Sequence, residues 1–255
     1  MIVLGFDTAT RSTAVALSLD GGEALRARDD PGPEEHPGHA TRLLAMAGEL
    51  LQRAGVGWRD VERIAVGLGP GTFTGLRVGV ATARGLAQSL SCELVGVSSS
   101  LALATAAAGT ASDAPGAQTE GRVLAVIDAR RGEVFASAYR HYGSQPLVEL
   151  VPPSAVAPAQ LAGVIALAEE RGSGAGTWLT VGDGAVRHRR ELEGLALTIP
   201  ADSAGVHLLD AATICRLGLT ELPLGPLEQL LPDYRRRPDA ELALEALAAP
   251  GGVAP

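Results

Sequence analysis

The chain has 255 residues, of which 46% are hydrophobic and 20% are charged, a composition that supports a full hydrophobic core spread over two lobes. Its net charge of −8 argues against autonomous binding to the phosphate backbone of a nucleic acid. There is no uncharged apolar run of about 18 residues and no basic N-terminal leader, so we expect neither a membrane span nor a signal peptide.

The first 60 residues predict three strands and a helix. Strands at 2–6, 13–18 and 23–28 precede a loop rich in Pro and Gly, and a helix is expected over 39–54. Its apolar residues recur at helical spacing, and Leu44 and Met46 lie outside that stripe. A helix that is apolar on more than one face predicts a packing partner in addition to its own sheet.

A glycine-rich turn opens the second helix, which extends to about Leu90. The turn follows a predicted strand at 62–67, and amides at such a helix start favour an anion. The segment is not a Walker loop, because no Lys follows its last glycine. Small residues recur four apart inside the helix and permit close approach to another helix or a sheet. A strand at 93–97 and a helix at 99–108 follow.

The second half of the chain repeats the pattern of the first. A segment at 109–121, rich in Gly, Ser, Thr and Pro, predicts a link between lobes. An apolar strand ending in an aspartate, a polar turn and a second strand occur after it, as they do at the N-terminus, so Asp7 and Asp128 are predicted to be equivalent. Further helices are expected at 159–171 and 204–219, with a strand at 178–182 between them.

Three regions are expected. They are a first lobe over 1–108 that the helix near 204–219 rejoins, a second lobe over 109–203, and a partly disordered C-terminal extension over 220–255.

Residues from both halves are candidates for a nucleotide cleft. An aspartate can hold Mg²⁺ through water, and turn amides and hydroxyls bind phosphate oxygens. The ordinary alternative is a set of turns whose side chains bond their own backbone. The candidates are Asp7, Thr8, Thr10, Gly69, Gly71, Asp128 and Gly182.

No metal site is predicted from the histidines and cysteines. His36 and His39 lie three apart near a Pro-Gly loop, without a further ligand at an obvious coordinating spacing. Cys92 and Cys215 are expected to be buried free thiols, as suits a cytoplasmic protein.

Three segments, 2–10, 67–79 and 128–135, together resemble the bacterial TsaB family in order and spacing over roughly the first 140 residues. The resemblance implies a two-lobed, actin/hexokinase-like α/β fold with a duplicated mixed β-sheet and flanking helices. It also implies a non-catalytic scaffold or activator subunit in the synthesis of N6-threonylcarbamoyladenosine on tRNA, beside a catalytic TsaD-like paralogue. That paralogue carries metal-binding histidines where this chain has Ser98, Ser99 and Ser100. We therefore expect no catalytic residue, no metal and no cofactor here.

The resemblance further implies a four-helix interface, in which helices 39–54 and 74–90 pair with the same helices of the paralogue. The residues assigned to it are His39, Leu43, Leu44, Ala47, Leu50, Leu51, Gly75, Leu76, Gly79, Val80 and Ala83. The alternative is that both helices pack only on their own sheet. If the interface assignment holds, Leu43→Asp or Gly79→Leu should abolish partner binding and leave the monomer folded.

Other partners and a competing activity belong to the same set of hypotheses. The isolated chain is expected to form a homodimer through these helices, because an unpaired apolar face can be buried against the same face of a second copy. A TsaE-like ATPase is the candidate third subunit, and tRNA is expected to be bound only through the complex. The competing hypothesis is an enzyme that acts alone, either an ATPase with Asp7, Thr8 and Asp128 around a phosphate and a metal, or a metallopeptidase.

Overall fold

The computed structural model describes residues 1–32, 34–112, 120–143, 145–174, 176–223 and 229–235. Most of the predicted link and most of the predicted C-terminal extension lie outside the described residues. The first half contains β1 (Ile2–Asp7), β2 (Thr13–Leu19), β3 (Leu25–Asp29), α1 (His39–Ala54), β4 (Arg63–Gly67), α2 (Phe73–Leu90), β5 (Glu93–Val97) and α3 (Ser99–Ser112). The second half contains β6 (Glu120–Arg130), β7 (Glu133–Tyr142), β8 (Val148–Val156), α4 (Leu161–Ala168), β9 (Trp178–Val181), α5 (Asp183–Arg187), β10 (Leu197–Thr198) and α6 (Ala211–Thr220).

The two sheets have the same topology. The first has the order β3-β2-β1-β4-β5 and the second the order β8-β7-β6-β9-β10. In each, the first three strands are antiparallel and the last two join in parallel. Asp7 ends the central strand of one sheet and Asp128 lies near the end of the central strand of the other. The expected two-lobed, actin/hexokinase-like fold with a duplicated mixed sheet is therefore confirmed.

The first sheet presents different side-chain sizes on its two faces. Leu4, Phe6 and Val15 are among the large residues that pack against α1 and α2. Alternate positions on the same strands hold small residues such as Ala14 and Ala16, which pack against α6. Because successive side chains of a strand point to opposite faces, this alternation lets α6 approach the sheet closely while α1 and α2 rest on a thicker layer.

Helix α6 sits directly on the strand backbones. A Cβ built on Gly5 would lie 2.5 Å from the sulfur of Cys215, so no side chain fits there. Arg63 of β4 donates hydrogen bonds to the carbonyl oxygens of Gly218 and Leu219 at the end of the helix, at 2.7 and 3.2 Å. Cys215 is a buried free thiol, as predicted, whereas Cys92 is only half-buried.

Helix α3 follows a strand of the first sheet, yet it packs against the second. Its buried residues Leu103, Ala104 and Ala107 belong to the cluster that contains Val123 and Ile127 of β6. It also contacts α6. The helix therefore forms part of the junction between the lobes.

Two predicted helices are shorter in the structure. The helix expected over 159–171 is α4, followed by a π-helical turn over Glu169–Ser173, in which Gly172 has a φ of 102°. The helix expected over 204–219 begins only at Ala211, because Asp210 caps it by accepting a hydrogen bond from the Ala212 amide at 3.1 Å. Within the described ranges, no helix combines the length and the apolarity required to cross a membrane.

Candidate functional site

The carboxylate of Asp7 is enclosed by its own lobe. Only 1% of the residue is exposed. One oxygen accepts a hydrogen bond from the Ala9 amide at 2.7 Å, and the other accepts one from the Ser99 hydroxyl at 2.6 Å. Burial raises the pKa of Asp7, and these hydrogen bonds act in the opposite direction. Both oxygens of the first-lobe aspartate are thus engaged within the chain.

Thr8 and the glycines of α2 fit one another. The Thr8 hydroxyl donates to the carbonyl oxygen of Gly75 at 2.7 Å. A Cβ on Gly75 would collide with the Thr8 carbonyl oxygen, and one on Gly79 would collide with the Thr8 hydroxyl. In the same way, a Cβ on Gly67 would overlap the carboxylate of Asp7. The spaced glycines of α2 therefore make room for the turn after β1.

The glycine-rich turn before α2 is bonded internally as well. The Gly69 amide donates to the Ser99 hydroxyl at 3.0 Å, and the Thr72 amide donates to the Ala9 carbonyl oxygen at 2.7 Å. Gly71 is pressed against Ala9, where a side chain would not fit. The amide donors of Gly69 and Thr72 are consequently satisfied by the protein itself. Thr10, the remaining first-lobe candidate, is half-buried in the same turn.

The second-lobe aspartate has a more charged setting. Asp128 accepts a hydrogen bond from the Arg130 amide at 2.8 Å and forms ion pairs with the guanidinium groups of Arg130 at 3.2 Å and Arg187 at 3.6 Å. The Asp128 amide donates to Asp183 at 2.9 Å. Burial, with the charge of Asp128 adding to it, raises the pKa of Asp183 to about 6. Gly182, with a φ of 114°, turns the chain tightly against the Val126 carbonyl. From the sequence, the turn 182–184 is equally compatible with a loop of the nucleotide cleft and with an ordinary turn, and the contact of Asp183 with Asp128, 55 residues away, was not predicted.

Apolar side chains lie between the two turns. Ala9 and Leu76 of the first lobe belong to one buried cluster with Ile127 and Ala129 of the second, and Leu209 belongs to the same cluster. No hydrogen bond or ion pair connects Asp7 with Asp128 in the described part of the chain. The predicted nucleotide-site residues therefore form two separate groups, one in each lobe.

Ser98 and Ser100 are part of a hydroxyl network, whereas Ser99 bonds Asp7 and the Gly69 amide. The Ser98 and Ser100 oxygens are 3.1 Å apart, and Ser100 is 2.9 Å from the phenol oxygen of Tyr139. Burial raises the pKa of Tyr139, so the phenol remains a neutral hydrogen-bonding group. In the described residues there is no cluster of three His, Cys, Asp or Glu side chains that could hold a metal ion.

Most residues assigned to the partner interface are buried within this chain. Leu44 is 47% exposed, whereas each of the other ten is buried. The buried residues are His39, Leu43, Ala47, Leu50, Leu51, Gly75, Leu76, Gly79, Val80 and Ala83. His39 lies 2.8 Å from the Thr13 hydroxyl. Because Leu43 and Gly79 are packed inside the chain, we now expect Leu43→Asp and Gly79→Leu to destabilise the monomer as well.

The exposed side of the same two helices mixes small residues with charged ones, among them Arg42, Glu49 and Arg77. Leu44 and Ala45 of α1 and Ala81 and Gly85 of α2 are exposed, and we call these four residues the α1–α2 outer face. Nothing would lie within 4 Å of a Cβ on Gly85. The two helices contact each other on one face of the first sheet. Small residues at these positions allow another helix to approach the backbone closely.

Comparisons with known proteins agree on one group. A family model described as "TsaD: tRNA N6-adenosine threonylcarbamoyltransferase" matches residues 33–174. The chain is similar to the tRNA threonylcarbamoyladenosine biosynthesis protein TsaB of Escherichia coli, with 39% identity over 140 residues that cover 55% of each protein. Sequence similarity thus spans about half the length of that relative. TsaB of Bacillus subtilis is 28% identical over 247 residues, which cover 94% of this chain and 96% of that protein.

Solved structures extend the similarity to most of the fold. A crystal structure from Pseudomonas aeruginosa, described as an uncharacterized protein with similarity to peptidase YEAZ, superposes with a TM-score of 0.72 at 29% identity. The superposition covers 92% of this chain and 99% of that one.

Proposed function

Since the chain belongs to the protein family described as TsaD: tRNA N6-adenosine threonylcarbamoyltransferase, we propose that it is a non-catalytic subunit in the synthesis of threonylcarbamoyladenosine on tRNA. In this role it binds and activates a catalytic TsaD-like paralogue in the cytoplasm. The TsaB names of its relatives in E. coli and B. subtilis support the same assignment.

The enclosed first-lobe turn supports a non-catalytic role. A phosphate needs free hydroxyl or amide donors, and a hydrated magnesium ion needs free carboxylate oxygens. The carboxylate oxygens of Asp7 and the hydroxyl of Thr8 are already hydrogen-bonded to Ala9, Ser99 and Gly75. Freeing them would leave buried polar groups without partners, at a cost of about 1–3 kcal/mol for each group.

The α1–α2 outer face is the observation that supports a partner most directly. Its four residues are exposed and uncharged, and three of them are Ala or Gly. Burying these four side chains costs little side-chain entropy, while Glu49 and Arg77, one helical turn away and also exposed, offer charges that a partner can pair with. We therefore move the proposed TsaD-binding surface from the buried residues to Leu44, Ala45, Ala81 and Gly85. The same face is the proposed contact of a homodimer when the paralogue is absent.

The proposed role of tRNA follows from the charge of the chain. With a net charge of −8, the chain repels a phosphate backbone on average, so tRNA contact is assigned to the complex and chiefly to the paralogue. A TsaE-like ATPase remains the proposed third subunit.

An activity measurement on each protein alone and on the mixture tests the proposal. The chain and a TsaD-like paralogue from the same organism are purified, and threonylcarbamoyl transfer to tRNA is measured with ATPase and donor-synthesising components held constant. We expect the isolated chain to be inert and the mixture to be active through a stable complex. Transfer by the isolated chain, or full activity of the paralogue without it, would overturn the proposal.

The second-lobe cluster favours the competing hypothesis of an enzyme that acts alone. Asp128, Asp183 and Arg187 place acidic and basic groups together at a strand end, and Asp183 has a pKa of about 6, which suits proton transfer. ATP hydrolysis by the isolated chain that is lost in Asp128→Asn would support this hypothesis. The absence of turnover would leave the subunit proposal as the better one.

A further inference from the structure

A cleft of about 620 Å³ opens on the α6 side of the first lobe. Its walls are the β2–β3 hairpin, the end of α3, the segment over 205–210 and α6. Apart from Leu209, which also belongs to the apolar cluster between the two turns, its lining residues lie outside the candidate site and the α1–α2 outer face. The volume falls in the range of about 300–1,000 Å³ that is typical of small-molecule sites.

One part of the cleft wall is apolar. Val206, Leu208 and Leu219 line it together with Ala106 and Ala212. Leu208 is 41% exposed and is not absorbed into the core. These side chains supply a surface on which an apolar ligand body can be removed from water.

Three arginines supply the charged part. Arg26 and Arg28 are already paired, with Asp210 at 3.2 Å and Asp30 at 2.7 Å. Glu23, 3.9 Å from Arg26, has a side chain that is 94% exposed and largely solvated. Arg216 of α6 is exposed in the cleft and has no hydrogen-bond or ion-pair partner among the described residues. An unpaired guanidinium beside an apolar wall is a recognition element for a planar acidic group.

We propose that this cleft binds a small organic anion whose apolar body lies against Leu208, Val206 and Leu219 and whose acidic group pairs with Arg216. Arg26 lies in the same cleft and attracts the same charge. The chain as a whole is acidic, so an anion is drawn to this location by local charge alone. The inference rests on the cleft and is independent of the proposed tRNA-modification role.

A fluorescent probe of this chemical class tests the proposal. 8-Anilinonaphthalene-1-sulfonate combines an apolar body with one acidic group, and N-phenyl-1-naphthylamine is its uncharged counterpart. Both are titrated into the full chain. We expect the anionic probe to bind at one site per chain and Arg216→Gln to weaken it about 10-fold or more, with little effect on the neutral probe. Arg190→Gln is the matched control, since Arg190 is exposed elsewhere and should not change binding.

A blocking variant and two competitors complete the design. Thr110→Trp adds bulk to an exposed position that lines the cleft, and it should weaken both probes while the circular dichroism spectrum stays unchanged. Displacement of the anionic probe by 1-naphthoate or by 1-naphthyl phosphate then separates a carboxylate ligand from a phosphate ligand. Binding at several equivalent sites, or equal affinity of the wild type and Arg216→Gln, would overturn the proposal.

Discussion

The glycines of α2 have two different roles. Gly75 and Gly79 lie under the turn after β1, where their missing side chains admit Thr8. Gly85, two turns further along the helix, is exposed and has free space around it. The same residue type is therefore required by packing at one end of the helix and not at the other.

Gly75→Ala should destabilise the protein by about 1–3 kcal/mol, because the new Cβ would collide with the Thr8 carbonyl oxygen in a packed region. Gly85→Ala is the control in the same helix, and it should be neutral or stabilising by up to about 1 kcal/mol. Urea denaturation of the three proteins gives both values. Equal stability of Gly75→Ala and the wild type would contradict the close packing of this turn.

Asp183 predicts a pH dependence of stability. Its pKa of about 6 in the folded protein lies above the ordinary value of 3.8, so the folded state favours the protonated form. The ionised carboxyl therefore costs stability as the pH rises from about 4 to 6, and the cost stays constant above that range. Asp183→Asn keeps an oxygen that can accept from the Asp128 amide. It should be more stable than the wild type by about 2 kcal/mol at pH 8, with the gain shrinking as the pH falls to 4.

Urea denaturation at pH 4, 6 and 8 measures that gain. Glu170→Gln, at an exposed position of the same lobe, should change stability by less than about 0.5 kcal/mol throughout. A gain for Asp183→Asn that does not vary with pH would exclude desolvation of the carboxylate as its cause.

Hydrophobic periodicity predicted most helices and strands well. It could not tell whether a buried helix face packs on the chain's own sheet or on a partner. The bounds of α1 agree with the prediction, since Gly55 ends the helix in a left-handed conformation. The strand β8 was missed because its sequence contains Pro152 and Pro153, which argue against a strand. The buried residues of α1 and α2 were assigned to a partner, whereas within the chain most of them pack on the first sheet and Leu76 packs in the cluster between the lobes.

The revised interface proposal leads to a binding prediction for α1 and α2. Ala81→Glu places a charge on the α1–α2 outer face and should weaken binding to the TsaD-like paralogue by about 100-fold or more, because a charge buried in an interface without a partner is costly. The monomer should keep its stability, since Ala81 is exposed. Ala162→Glu makes the same exchange on an exposed position of α4 in the other lobe. Isothermal titration calorimetry compares the two variants, and equal weakening by both would argue against this surface.

The whole molecule is held together by α3 and the apolar cluster around it, which joins residues of both lobes. We expect the lobes to unfold together. Leu103, which is 1% exposed, lies in this cluster, and Leu103→Ala should destabilise the protein by about 2–5 kcal/mol. The chain has two tryptophans, Trp58 in the first lobe and Trp178 in the second.

Fluorescence can follow each lobe separately. Trp58→Phe leaves a reporter in the second lobe and Trp178→Phe leaves one in the first. Leu103→Ala, made in both backgrounds, should shift the two denaturation midpoints by similar amounts. Leu167→Ala, at a partly exposed position of α4, should have a much smaller effect. A shift seen by only one reporter would mean that the lobes unfold independently.

The position of α6 in the chain has a consequence during protein synthesis. This helix covers the small-residue face of β1, β2 and β4, yet about 120 residues separate its end from the end of β5. At a translation rate of ~5–20 residues per second, the ribosome needs on the order of 10 s to make that stretch. Until then we expect this apolar face to be covered only in part, by residues such as Ala102 of α3. The growing chain is therefore a natural client for ribosome-associated chaperones until α6 emerges and closes the sheet.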